Sequence, residues 1–190
     1  MRYIIGVFVT IGLLFLLIFV LVMGGGKDSN TGKVPSTMKA LQTYANTDAT
    51  VRVTIAGPVV ANQEYKETRI SVNRNEAMLE SINGYDGVVT NAKSYTNTRE
   101  GYVSFLRSID RMGFTKGDTS KTLADERGYC ALGNRYIFEL VENGKTLQRF
   151  WSTSCTGTRT YLGNASATLE LFEAQIPDFA SLIQASGVNL

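Results

Sequence analysis

From Tyr3 to Met23 the chain carries no charged residue, and only Gly6, Thr10 and Gly12 interrupt an otherwise apolar run. A helix of about 20 such residues, rising ~1.5 Å per residue, spans the ~30 Å hydrocarbon core of a bilayer. All backbone polar groups must be satisfied inside that core, which a helix does by itself. The run is therefore read as a transmembrane helix. A cleaved signal peptide would carry an apolar region of about 7–15 residues followed by a small-residue cleavage site. This run is longer, and it leads into Met23-Gly24-Gly25-Gly26 with neither such a site nor a cysteine for lipid attachment.

Three parts follow from this reading: an anchor over residues 1–23, a flexible tether over 24–45, and a folded domain over 46–190. Residues 24–37 (GGGKDSNTGKVPST) are small, polar and rich in glycine, with no hydrophobic period. The chain departs from the type IV pilin pattern, in which a glutamate follows the processing glycine by five residues. Gly6 is followed at that distance by Ile11, and no acid lies within the run.

The flanking charges and the cysteines point to opposite sides of the membrane. Arg2 precedes the run while Lys27, Lys33 and Lys39 follow it, which by the positive-inside rule would place the C-terminal part in the cytoplasm. The chain's two cysteines favour an oxidising compartment, and the expectation adopted is a single-pass cell-membrane protein with its domain extracytoplasmic. Of the 19 Lys+Arg only Arg2 precedes the run, so the remainder nearly balance 17 Asp+Glu. Such a balance leaves no electrostatic footprint for nucleic acid.

Beyond the tether the expected fold is α+β: a mainly antiparallel sheet of about six strands, one central helix and two short C-terminal helices. Residues 50–55 alternate apolar and polar as on a half-buried strand, and 65–74, 77–83 and 88–95 continue a meander with an Asp86-Gly87 turn. A helix begins near Asn97, with Glu100 placed to complete a capping box. Tyr102, Phe105, Leu106 and Ile109 form its apolar stripe, and Gly113-Phe114 its stop. The polar segment 115–128 reads as a long loop. Asn143-Gly144 closes a hairpin of 135–141 with 147–154, and Pro177 separates two short helices.

With Asn143 and Gly144 as the turn residues, a regular ladder opposes Leu140 to Leu147, Tyr136 to Trp151 and Leu132 to Cys155. Cys130 then sits one diagonal step from Cys155 on the same face, and a bulge near Gly133 would bring the two within disulfide reach. A Cys130–Cys155 disulfide is expected.

The chain has no histidine, which excludes Ser-His-Asp and Cys-His catalysis and the commonest transition-metal ligand. Two cysteines without histidine cannot complete a usual zinc site, and they are too far apart for a C-x-x-C redox pair. No catalytic residues, metal or cofactor are expected. Ser152 and Ser154 lack any motif that sets a base beside them, and Glu170 and Glu173 read as a solvated helix face. The segment after Cys155 is the candidate ligand-binding loop, with Thr156, Thr158, Arg159, Tyr161 and Asn164 as its residues. It mixes hydroxyls, a cation and an aromatic just before a helix N-terminus. Asn164-Ala165-Ser166 also matches a glycosylation sequon, which has meaning only in a eukaryotic lumenal setting.

The functional expectation is a non-enzymatic, membrane-anchored binding or scaffolding domain of the cell envelope, with a protein or cell-wall component as partner. An anchored hydrolase with a Ser/Lys or carboxylate site, and a subunit of a membrane or pilus-like secretion machine, are the alternatives.

Overall fold

The computed structural model describes residues 39–186, with side chains through residue 184. Among them no helix is long and apolar enough to cross a membrane. The apolar run of residues 3–23 and the tether up to residue 38 lie outside the described residues.

Six antiparallel strands form one sheet in the order β4-β3-β2-β1-β5-β6. They are β1 (Thr50–Ala56), β2 (Lys66–Val72), β3 (Glu76–Asn83), β4 (Val88–Thr96), β5 (Arg135–Glu142) and β6 (Lys145–Thr153). Three helices accompany them: α1 (Arg99–Arg111), α2 (Ala165–Glu173) and α3 (Phe179–Ser186). The meander, the second hairpin, the central helix and the two closing helices stand where their residue patterns put them.

Period-two alternation decides which side of the sheet is covered. Val51 and Val53 on β1, Ile70 and Val72 on β2, Leu79 on β3, and Phe138 and Leu140 on β5 join one core with Tyr102, Phe105, Leu106 and Ile109 of α1 and Phe172 of α2. The intervening residues face the other way and carry charge. There Arg52 pairs with Glu139 at 3.6 Å, Arg69 with Glu80 at 3.6 Å, and Arg149 with Glu126 at 2.6 Å. Partly exposed pairs of this kind contribute ~0–1 kcal/mol each, so they add little to stability.

The folded part begins before the expected boundary at residue 46. Leu41–Asn46 is a 3-10 helix that buries Leu41, Tyr44 and Ala45. These positions lie three and four apart, the spacing of one helical face, but a six-residue element carries too little periodicity to stand out against polar neighbours. The cap of α1 is also one residue later than expected. The Thr98 side chain accepts from Gly101 N at 3.0 Å, Asn97 Nδ2 donates to Asn73 O at 2.7 Å instead, and Glu100 points to solvent with 81% of its side chain exposed. At the other end Gly113 (φ 85°) donates to Asp110 O and Phe114 N to Ile109 O, the paired bonds of a left-handed helix stop.

Asn143 (φ 51°) and Gly144 (φ 75°) form the expected turn, with Glu142 opposite Lys145. The regular ladder then fails. Between Leu140 and Val141 the register shifts, so Leu140 faces Gln148, Ile137 faces Trp151 and Tyr136 faces Ser152. One extra residue on β6, Leu147, accounts for the shift. A slip of one residue exchanges the faces of a strand, and Trp151 consequently joins Ala56, Tyr65 and Ile137 in a second, smaller core on the side away from the helices.

Candidate functional site

Cys130 and Cys155 are disulfide-bonded, with Cα atoms 5.7 Å apart. Neither lies on a strand, so the expected opposition of Leu132 to Cys155 within the ladder does not occur. The bridge joins the segments that enter β5 and leave β6. Just inside it, Ser154 N donates to Asn134 O and Asn134 N to Ser154 Oγ, both at 2.9 Å. Gly133 is packed into this corner: a Cβ there would sit 2.5 Å from Ser154 Oγ and 2.7 Å from Cys130 Sγ, a separation no side chain accepts.

The antiparallel topology brings two further connections to the end of the sheet where these segments lie: residues 57–65 between β1 and β2, and 84–87 between β3 and β4. Backbone and side-chain bonds tie them together. Val59 N donates to Ala131 O at 2.7 Å, and Tyr85 OH donates to Val60 O at 2.9 Å while accepting from Val60 N. Asn62 Oδ1 accepts from Tyr85 N, the rings of Tyr65 and Tyr85 stack with centroids 3.9 Å apart, and buried Arg135 donates to Gly57 O. Burial, and then the hydrogen bond it gives to Glu67, pushes the Tyr65 phenol well above its ordinary value.

This braced end displays apolar side chains outward: Val59 is 45% exposed, Tyr85 52% and Leu132 91%. Here the staple and the cross-loop bonds hold the backbone, and the side chains stay in solvent. Clustered exposed apolar residues with a polar rim are the usual mark of an interaction surface.

The expected ligand loop divides in two. Thr156, Thr158 and Arg159 are exposed beside the disulfide, so they belong to the braced end. Tyr161 and Asn164 hold the structure up. Tyr161 is fully buried, stacks on Phe138 with centroids 4.2 Å apart, and its hydroxyl lies 2.7 Å from Thr168 Oγ1. Burial pushes its phenol up to about 12. The Asn164 side chain caps α2 by accepting from Ala167 N at 3.1 Å. Between these two groups, Thr160 seals the strand edge through bonds to both backbone groups of Trp151.

Other sequence candidates fall apart from one another. Ser152 is buried in β6, and Ser154 Oγ is engaged by Asn134 N. Glu173 on α2 is half-buried, and its carboxyl is raised first by that burial and then by the charge of Glu170. A raised folded-state value means the fold disfavours the ionised form, so this cost is absent below the unfolded carboxyl value of about 4.3 and appears as pH rises through it. Glu173→Gln is thus expected to raise the melting temperature at pH 7 and to match wild type in acid, in a thermal melt repeated across pH.

A cleft of about 270 Å³ lies between residues 115–124 and β6, with Asp118, Lys121, Leu147, Gln148 and Phe150 among its walls. It falls short of the ~300–1,000 Å³ usual for a small-molecule site, whereas hollows of about 460 Å³ between residues 42–46 and α1 and about 350 Å³ between α1 and α2 reach it. No group of three or more acidic or cysteine side chains suited to a metal exists among the described residues. Compared with known proteins, the chain matches no family model and has no significant curated relative.

Proposed function

We propose that the chain is a single-pass membrane protein, anchored by residues 3–23, whose domain lies on the extracytoplasmic side and binds an envelope protein or cell-wall component. The observation that carries this reading is the disulfide at the braced end of the sheet. A bridge of this kind belongs to an oxidising compartment, and it sits where Val59, Tyr85 and Leu132 are held out to solvent beside Thr156, Thr158 and Arg159. Apolar and aromatic anchors on a pre-ordered backbone lose little freedom on docking, which is what a binding surface requires.

The test is capture of partners by the full chain from membranes dissolved in mild detergent, with wild type set against Leu132→Asp and Val59→Asp. Both positions are exposed, so the variants should fold. Loss of the captured component from both variants is the expected result. Equal recovery would remove the braced end from the binding role. A hydrolytic activity lost on Ser154→Ala would replace the binding reading with the hydrolase.

A further inference from the structure

The register shift in the second hairpin does more than turn Trp151. A regular ladder would set Leu147 opposite Leu140, on the face that the helices cover, but the extra residue sets Gln148 there instead. Bulges re-aim side chains in this way, often beside a site. Gln148 is only 5% exposed. Its Nε2 donates to Phe114 O at 2.7 Å, while its Oε1 is buried with no partner among the described residues. A buried acceptor left unbonded costs stability that a leucine at the same place would not. Such groups are rare enough in folded proteins that each calls for a reason.

The reason offered by the surroundings is a ligand. Gln148 is a wall of the 270 Å³ cleft between residues 115–124 and β6, together with the apolar side chains of Leu123, Leu147 and Phe150. The Phe150 wall is held in place by close packing: a Cβ on Gly117 would fall 2.3 Å from its ring. Other polar atoms of the lining are already engaged. Thr160 Oγ1 accepts from Trp151 N, and Asp118 Oδ1 accepts from Ser120 N.

We propose that this cleft binds a small, neutral, mostly apolar molecule that carries one N–H or O–H donor, with the donor meeting Gln148 Oε1. Charge argues for neutrality, because Asp118 and Lys121 both stand in the walls and favour neither sign. Size sets the rest. An apolar cavity of about 150 Å³ holds benzene, so by proportion 270 Å³ holds about ten heavy atoms, which is the scale of indole rather than of a drug-sized ligand. The bulge then exchanges some stability of the fold for an acceptor in an apolar wall. This site is independent of what the braced end binds.

Indole and indene test the proposal, since they share a shape and only indole carries an N–H. Each is added to the full chain in detergent, with its free concentration set by dialysis, and backbone amide shifts are followed by nuclear magnetic resonance. The shifts should centre on residues 115–124 and 147–150, and indole should bind about tenfold more tightly than indene, the ratio expected for one bond to an otherwise unbonded buried acceptor. Gln148→Leu should bind the two alike. Thr119→Trp, at an exposed position of the wall, should fill the cleft and bind neither. Equal affinity of the wild-type chain for the two, shifts centred elsewhere, or no binding of indole would each overturn the proposal, and these are read on the wild type even if Gln148→Leu fails to fold.

Discussion

Tyr161→Ala is expected to destabilise the domain by about 3–5 kcal/mol, the range for removing a large aromatic from a packed core. The ring is fully buried and lies flat against Phe138, so truncation leaves a cavity beside the central strands. Its hydroxyl contributes a smaller part. Thr168 Oγ1 donates to Asn164 O at 2.8 Å, so its own proton is spent and it must accept the one from Tyr161. Tyr161→Phe should therefore cost only about 1 kcal/mol. Arg159→Ala, two residues earlier and exposed, should stay within about 0.5 kcal/mol of wild type. Thermal or denaturant unfolding of the three variants checks the division of this segment into a structural half and a displayed half. A mild effect of Tyr161→Ala would return that residue to the binding loop.

Replacing both cysteines, Cys130→Ser with Cys155→Ser, comes next in size. The bridge closes a loop of 25 residues, for which the chain-entropy estimate gives about 3–4 kcal/mol. In a domain of this size that is roughly 6–16 °C in melting temperature. The effect should also be local. Without the bridge, the bond from Val59 N to Ala131 O loses its support, and amides near residues 57–65 and 128–134 should gain more in exchange rate over wild type than those of β1 and β5. Unfolding by circular dichroism, with hydrogen exchange read by segment, measures both. Loss of the bridge with no change in either would mean that the cross-loop bonds suffice.

Much of this fold was legible because its elements are long enough to show a period. The four apolar positions of α1 and the alternation of Val51, Val53 and Ile55 state which side is buried before any tertiary contact is known. The hairpin turn was legible from Asn143-Gly144 alone. What the pattern does not carry is anything decided by a single residue. One extra residue at Leu147 turned Trp151 to the opposite face, and the local sequence gives no bulge signal there. The cap moved from Asn97 to Thr98 because both residue types suit it and only the contact of Asn97 with Asn73 chooses between them.

The site was half legible for a related reason. Two cysteines leave only one pairing to make within the chain, so the bridge is legible although neither cysteine lies on the ladder. The loop after Cys155 was marked by composition, which cannot distinguish a tyrosine that faces solvent from one that completes a core. Nothing in the sequence marks Val59, Tyr85 or Leu132. Each is an ordinary apolar residue in sequence, and only the gathering of four loops at one end of the sheet makes them a surface.

Thiol labelling of intact cells with a membrane-impermeant maleimide tests the central claim most directly, because the proposed location and the staple rest on the same two residues. The account predicts no labelling of the chain until reductant is added, and labelling of Cys130 and Cys155 from outside the cell afterwards. Labelling without reductant, or only after the membrane is broken, would contradict it.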